Sequence, residues 1–184
     1  MRCCMNKKFT VIVDTDEKMP HEFLPDEFCE GSIRKKIKTG DYCIVGAEDI
    51  LAIERKRNLQ EIYGNFTIDW KRFRNCLDRL SEFQFPVIVC EFPFYDIAKF
   101  PLDSGIPSRY WKPKHFAYRK HILNRFLMIK EEWGIEVIFA GSRERSHEIM
   151  IEIFKSTNEF LSSGQFNVAP DLYKSIYEYI DEKD

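Results

Sequence analysis

The hydrophobic positions in the first half of the chain fall into short apolar runs separated by charged or turn-forming residues. Residues 9–13 form a β-rich run that ends in acidic residues, which is typical of a buried strand. Residues 42–45 and 50–55 are two further β-rich runs on either side of the turn at residues 46–49, and this spacing predicts a β-hairpin. Another apolar run predicts a fourth strand over residues 86–92.

Three later segments carry apolar residues at the three-and-four spacing of amphipathic helices. The first covers residues 69–83, where Asp69 is expected to cap the N-terminus, and the others cover residues 115–133 and 144–161. A strand is predicted between the last two, over residues 135–140. The chain is therefore predicted to be an α/β protein with a central mixed β-sheet flanked by α-helices.

Residues 93–113 interrupt this pattern with four prolines and one glycine, and they are predicted to be an inserted loop without regular structure. An apolar stripe over residues 172–180 predicts a C-terminal amphipathic helix. We expect one domain over residues 1–163, followed over residues 164–184 by a linker and this helix, packed on the same domain because the linker is short.

Composition narrows the class of protein. With 184 residues, 44% of them hydrophobic, the chain can build one domain with a sizeable core. No apolar run has the length of a membrane span, and the basic start of the chain lacks a signal-peptide core, so a cytoplasmic location, or a nuclear one in a eukaryote, is expected. The six cysteines show no metal-binding spacing and are predicted to be buried free thiols. His21 and His147 are expected at the surface.

The charge is unevenly distributed, although the net charge is only −2. Residues 104–130 contain no Asp or Glu but seven Lys and Arg residues. A solvated helix face usually mixes both signs, so this segment favours contact with the phosphates of a nucleic acid. The basic residues that we expect at that surface are Arg109, Lys112, Lys114, Arg119, Lys120 and Arg125.

The predicted hairpin carries charged residues at one end. Side chains alternate along a strand, so Glu54 and Lys56 should project to one face and Arg55 to the other. Asp41 starts the preceding strand and should lie opposite the end of the next, where Asp41 and Glu54 could share a hard cation such as Mg²⁺ through oxygen ligands. Lys56 could then polarise an attacking water or neutralise a phosphate. The alternative is a solvated strand end with Asp41 as a turn residue.

These motifs resemble those of a known family. The Gly-Asp-Tyr at residues 40–42 and the Ile-Glu-Arg-Lys at residues 53–56 are similar to the GD…ERK core of the XPF-type nucleases, a branch of the PD-(D/E)xK restriction-endonuclease-like superfamily that includes XPF and the archaeal Hef nuclease. Residues 11–18 resemble the first-strand motif Asp-x-Arg-Glu, with Asp14 and Glu17 at its acidic positions. The likeness extends through residues 69–92 and 134–154 and covers the chain to about residue 161.

The resemblance implies a restriction-endonuclease-like fold and a Mg²⁺- or Mn²⁺-dependent DNA endonuclease that acts near branches, flaps or junctions. It implies that Asp41 and Glu54 bind the metal, with Asp14 or Glu17 nearby. Lys56 would assist the attacking water, and Arg55 would support the site or the DNA.

Three other positions follow from the resemblance. Lys71 and Asn75 stand where the family tends to carry a basic residue and a glutamine facing the site. The family pattern continues as ERKxxxD, but Gln60 occupies the last position here and adds no negative charge. Helical geometry turns Glu61 about 100° away from position 60, so Glu61 is not expected to replace the missing carboxylate.

Two other functions remain open. The first is a non-catalytic DNA-binding or scaffold protein, because some members of the family have lost their site. The second is an interaction protein that uses the inserted loop or the terminal helix. A homodimer or a protein partner, bound through the nuclease domain, is also consistent with the resemblance.

Overall fold

Six strands form one mixed sheet in the computed structural model, which describes residues 8–102, 104, 106–111 and 113–164, without the side chains of residues 113–117. The spatial order is β2-β1-β3-β4-β5-β6. Strand β1 is parallel to β2 and antiparallel to β3, β3 is antiparallel to β4, and β4, β5 and β6 are parallel. The strands are β1 (Phe9–Val13), β2 (Cys29–Arg34), β3 (Tyr42–Ile44), β4 (Leu51–Lys56), β5 (Phe85–Cys90) and β6 (Glu136–Phe139).

Helices cover both faces of the sheet. The described helices are α1 (Leu59–Phe66), α2 (Trp70–Leu80), α3 (Tyr95–Lys99), α4 (Pro113–Trp133) and α5 (Arg143–Ser163). One core lies between the sheet and the first four helices, and we call this side the α2 side. The other core lies between the sheet and α5, and we call it the α5 side. In the part of the chain that the structure describes, no helix has the length and apolar character to cross a membrane.

The sequence explains why β4 and β5 lie in the interior of the sheet. Strand β5 is an apolar run and the first half of β4 is apolar, as expected for parallel strands covered by helices on both faces. In β4, Ala52 contacts the core of the α2 side, whereas Leu51 and Ile53 contact the core of the α5 side. This alternation confirms the predicted faces of the strand and fixes where the charged residues that follow must point.

Most of the predicted elements are confirmed, including the hairpin, in which Tyr42 pairs with Ile53. Strand β2 and helix α1 were not predicted. The expectation that residues 93–113 lack regular structure is wrong, since they contain α3 and a 3-10 turn at Ser108–Tyr110. Asp69 precedes α2 but its side chain forms no capping hydrogen bond.

The cysteine prediction is confirmed for Cys29, Cys43 and Cys90, which are buried free thiols, while Cys76 is partly buried. The surface prediction is wrong for His21, which is buried with only 6% of its surface exposed. The predicted C-terminal helix lies outside the described residues.

Candidate active site

The candidate site residues lie at one edge of the sheet, next to the ends of four strands. Strands β1, β4 and β5 end here, and β3 begins here, because β3 is antiparallel to its neighbours. Main-chain hydrogen bonds continue past the strand ends: the amide of Asp14 donates to Asp41 O (2.8 Å), that of Asp41 to Ile53 O (2.7 Å), and that of Glu91 to Lys56 O (2.8 Å). The predicted acidic and basic residues are therefore carried on a rigid frame.

Gly40 permits the close approach of the two hairpin strands. Its φ of +86° is a left-handed conformation that residues with a side chain rarely adopt. A Cβ atom at this position would lie 2.9 Å from the carbonyl oxygen of Ile53. The glycine of the Gly-Asp motif thus lets the next residue, Asp41, reach the end of β4.

Glu54 and Lys56 project to the α2 side, as predicted. Lys56 Nζ donates to Glu54 Oε1 at 2.8 Å and to Glu61 Oε1 at 3.4 Å, and it lies 4.8 Å from the centre of the Phe73 ring. Burial alone would lower the pKa of Lys56, but the charges of Glu54 and Glu61 outweigh it and raise this pKa above its ordinary value. Lys56 is therefore a buried ammonium held between two carboxylates.

Asp41 lies beside this group. Its Oδ2 atom accepts a hydrogen bond of 2.7 Å from the main-chain amide of Arg55. Burial first, and then the negative charge of Glu54, raise the pKa of Asp41 well above its ordinary value, although the amide of Arg55 and the charge of Lys56 oppose this rise. The two carboxylates predicted to bind metal are therefore close enough to repel each other.

Glu54 also has a partner on α2. Cys76 Sγ lies 3.8 Å from Glu54 Oε2 and is placed to donate to it. The pKa of the Cys76 thiol is raised to about 12 by burial and by the charge of Glu54, so the group keeps its proton at neutral pH. Lys71 and Asn75 lie exposed on the same helix, and it is Phe73 and Cys76 that contact the predicted site residues.

Arg55 points to the opposite, α5 side and is 97% buried. Its Nη1 atom donates to Glu91 Oε1 and its Nη2 atom to Glu17 Oε1, each at 2.9 Å. His21 Nε2 lies 2.8 Å from the same Glu91 oxygen, and Ser146 Oγ lies 3.4 Å from it. Burial alone would raise the pKa of Glu91, but hydrogen bonds from His21 and Arg55 lower it to about 2.

The carboxylate of Asp14 is held by the chain that follows β2. Its Oδ2 atom accepts from the amide of Ile37 at 2.9 Å, and its Oδ1 atom accepts from Lys36 Nζ at 3.1 Å and from the amide of Asp16 at 2.8 Å. Burial opposes its charge, yet these hydrogen bonds lower the pKa of Asp14. Asp14 is thus an ionised carboxylate engaged by three donors, and Glu17 is engaged by Arg55.

The basic residues predicted to bind nucleic acid are spread over the region around α4. Arg109 and Lys120 are exposed. Arg119 donates from Nε to Phe100 O at 2.7 Å, and the guanidinium of Arg125 stacks 3.6 Å above the centre of the Trp70 ring. Lys114 lies in the first turn of α4, whereas Lys112 lies outside the described residues.

Glu61 was not expected at the site, and the structure corrects that expectation. Gln60 is exposed, whereas Glu61 turns towards β4 and contacts Lys56. Asn58 caps α1 by accepting from the amide of Glu61 at 2.9 Å, and Glu61 Oε2 accepts from the amide of Arg57 at 3.1 Å. The signal in the sequence was the capping pattern Asn-x-x-Glu, which marks the start of α1.

The carboxylate oxygens at the site are suitable ligands for a hard divalent cation. Asp41 and Glu54 supply oxygen, and the charge of Glu54 adds to burial in raising the pKa of Asp41. Mg²⁺ is often held by one or two carboxylates together with water and substrate phosphates. Within the described ranges, no three His, Cys, Asp or Glu residues are grouped as a complete metal site, so water and phosphate would have to supply the other ligands.

The mixed sheet between two helical layers, with its acidic and basic groups at the edge where β1, β4 and β5 end, defines a restriction-endonuclease-like α/β fold. XPF from Aeropyrum pernix has this fold: it matches with a TM-score of 0.51 and 18% identity, over 84% of this chain and 65% of that one. XPF from the same organism in complex with DNA matches with a TM-score of 0.53 and 17% identity, over 95% of this chain and 74% of that one. The XPF-type fold is thus confirmed.

No protein-family model matches the chain, and no curated protein sequence matches it. The chain spans 65% of the length of the first of the two XPF structures.

Proposed function

We propose that this protein is an endonuclease that hydrolyses DNA phosphodiester bonds with Mg²⁺ or Mn²⁺ as its cofactor. The observation that carries the proposal is the pair of Asp41 and Glu54, two neighbouring carboxylates beside the ammonium of Lys56. Burial and the charge of Glu54 raise the pKa of Asp41, and groups perturbed by burial together with a like charge are characteristic of functional sites. A cation bound between them would relieve this repulsion.

Asp41 and Glu54 would hold the cation, which supplies Lewis-acid activation of water and of the phosphate when bound. The raised pKa of Lys56 keeps its side chain a cation at neutral pH, so it acts as a hydrogen-bond donor and not as a general base. It can orient the attacking water or stabilise the charge that develops on the phosphate. Arg55, on the other side of the sheet, supports the strand that carries both residues.

The substrate class belongs to the same proposal. We expect DNA with branches, flaps or junctions, as implied by the GD…ERK motifs, and one of the two XPF structures is a complex with DNA. The exposed Arg109 and Lys120 are suited to bind phosphates. Lys71 and Asn75 lie exposed on α2 and stay candidates for contacts with DNA close to the site. A homodimer or a protein partner, contacting the nuclease domain, would be consistent with this function.

The test is cleavage of flap, fork and duplex DNA in the presence of Mn²⁺. The variants Asp41→Asn and Glu54→Gln remove one negative charge each, and we expect each to lower the rate about 100-fold or more. Asp49→Asn is the matched control, because Asp49 is exposed in the turn at the opposite end of the same hairpin. Cleavage that survives in both site variants, or that persists with EDTA present, would contradict the proposal.

A non-catalytic DNA-binding protein is a second candidate. It is favoured by Gln60, which replaces the aspartate of the family pattern and is exposed, and by the pairing of Lys56 with Glu54 and Glu61 within the protein. This candidate predicts that the wild-type protein binds the same DNA substrates, is not stabilised by Mn²⁺ and cuts none of them.

A further inference from the structure

Glu54 is held through both of its carboxylate oxygens. Lys56 Nζ donates to Oε1 at 2.8 Å from the same strand, and Cys76 Sγ lies 3.8 Å from Oε2 on helix α2. The side chain of Glu54 is 15% exposed, so it is not fully enclosed by the protein. The sequence motifs assign no role to Cys76.

The two contacts constrain the carboxylate in different ways. A carboxylate held only at Oε1 can pivot about that contact, because the terminal torsion of a glutamate has a broad energy profile. A second partner at Oε2 fixes the plane of the group. Cys76 can act as such a partner because α2 is itself fixed by Phe73 and Leu77, which are buried against the sheet.

The chemistry of the thiol suits this role. Cys76 is a free thiol whose Sγ lies 3.8 Å from Glu54 Oε2, so it can present its S–H to the carboxylate. A thiol is a weak donor. The contact therefore directs the carboxylate without competing strongly with a cation for its lone pairs.

We propose that Cys76 is a positioning residue that orients Glu54 for binding the divalent cation. This inference rests on the proposed function. Hydrogen-bond partners of metal-binding carboxylates commonly change metal affinity about 10- to 100-fold when they are removed. Cys76 should therefore affect how much metal the site needs, and it should affect the rate at saturating metal much less.

The experiment compares Cys76→Ala, which removes the donor, with Cys76→Ser, which keeps one. Mn²⁺ is titrated into each DNA-free protein while the unfolding temperature is followed, and cleavage rates are then measured at saturating Mn²⁺. We expect Cys76→Ala to need about tenfold more Mn²⁺ and Cys76→Ser to stay within about threefold of the wild type. The cleavage rates of both at saturation should lie within about threefold of the wild type. Cys29→Ala is the control, since Cys29 is a buried thiol in β2, three strands away from β4.

The outcomes separate the two proposals. If wild-type protein responds to Mn²⁺ and Cys76→Ala responds at the same concentration, the positioning role is overturned and the proposed function stands. Equal shifts in Cys76→Ala and Cys76→Ser, or a shift in Cys29→Ala, also overturn it. If neither wild type nor any variant responds to Mn²⁺ and none cleaves, the proposed function fails and this role fails with it.

A metal-free measurement tests the contact itself. The unfolding temperatures of Cys76→Ala, Glu54→Ala and the double variant should be non-additive if the two side chains interact. Additive changes would overturn the positioning role whatever the metal titrations give.

Discussion

Lys56 and Arg55 are adjacent in the sequence, but they form ion pairs with carboxylates on opposite sides of the sheet. Lys56 pairs with Glu54 and Glu61 on the α2 side, and Arg55 pairs with Glu17 and Glu91 on the α5 side. Buried ions are tolerated when they are paired in this way. Asp41 differs, because it forms no ion pair within the described part of the chain and keeps the amide of Arg55 as its hydrogen-bond donor.

Asp41 should therefore lower the stability of the metal-free protein. We expect Asp41→Asn to raise the unfolding temperature without metal by about 2–5 °C, because an amide can accept the same hydrogen bond without the repulsion from Glu54. The variant should also lose the stabilisation that Mn²⁺ gives to the wild type. Differential scanning fluorimetry with EDTA and with Mn²⁺ measures both effects, and Asp49→Asn should change neither. A metal-free Asp41→Asn protein that melts below the wild type would contradict this account.

At the scale of elements, the ends of β4 and β5 are joined to α5 by buried polar contacts. Glu91 follows β5, and its Oε1 atom accepts a hydrogen bond from Arg55 of β4. The same oxygen is contacted by Ser146, which belongs to α5, and by His21, which lies in the chain between β1 and β2. Tyr42 of β3 completes the link, since its hydroxyl accepts from the amide of His21 at 3.1 Å. These contacts fix β4 on the α5 side of the sheet, whereas Glu54 and Lys56 face the α2 side.

The stability of this arrangement should depend on acid pH. The pKa of Glu91 is lowered from its ordinary value of 4.5 to about 2. A lowered pKa means that ionised Glu91 stabilises the fold fully above about pH 4.5 and that this contribution is lost as the pH falls towards 2. We expect Glu91→Gln to reduce the free energy of unfolding by about 2–4 kcal/mol at pH 7.

Urea unfolding at pH 7, 5 and 3 measures this contribution. The difference between wild type and Glu91→Gln should shrink at pH 3, because below about pH 4.5 the unfolded wild type takes up a proton at Glu91 that the native state binds only near pH 2. Glu148→Gln is the control: Glu148 forms an exposed pair with Arg145, and its loss should cost less than about 1 kcal/mol. An unchanged difference from pH 7 to pH 3 would show that the charge of Glu91 does not contribute as described.

The elements that sequence patterns predicted are those with strong periodicity. Helix α2 buries Phe73, Leu77 and Leu80, which follow the helical spacing directly. Strand β2 was missed because its sequence, Cys-Glu-Gly-Ser-Ile-Arg, contains no apolar run and includes a glycine. Helix α1 was missed because it has only eight residues, too few to establish a periodic pattern.

At the candidate site, the side-chain directions that depend on the hairpin alone were predictable from the sequence. The faces of Glu54, Arg55 and Lys56 follow from strand alternation, which needs no tertiary information. The contact of Cys76 with Glu54 could not be predicted, because it requires the position of α2 relative to β4. His21 looked like a surface residue for the same reason, since its partner Glu91 lies 70 residues further along the chain.

At the scale of the whole molecule, the basic residues around α4 and those on α5 differ in their ion pairing. The exposed Arg109 and Lys120 lie in or near α4, on the α2 side where Glu54 and Lys56 project. On α5, Arg145 is paired with Glu148 and Lys155 with Glu152. A polyanion should therefore be attracted to the layer that contains the candidate site.

This difference predicts how DNA binding responds to salt. Arg109→Ala and Lys120→Ala should each weaken binding of fork DNA and reduce the slope of log K against log salt by about one, if each side chain contacts one phosphate. Fluorescence anisotropy titrations with EDTA present, at several salt concentrations, give both quantities. Arg145→Ala on α5 is the control and should leave the slope unchanged. Equal effects of all three substitutions would show that DNA does not favour the α2 side.

In strand β4, the residues that face the α2 side, Glu54 and Lys56, alternate with Arg55, which faces the α5 side. A single residue inserted into or deleted from it would exchange the faces of every side chain beyond that point. Arg55 would then leave Glu17 and Glu91 without their shared guanidinium, and Glu54 would enter the aliphatic layer beneath α5. Changes in length should be tolerated best in the turn at the far end of the hairpin, because β4 must keep its register for its charged residues to reach their partners.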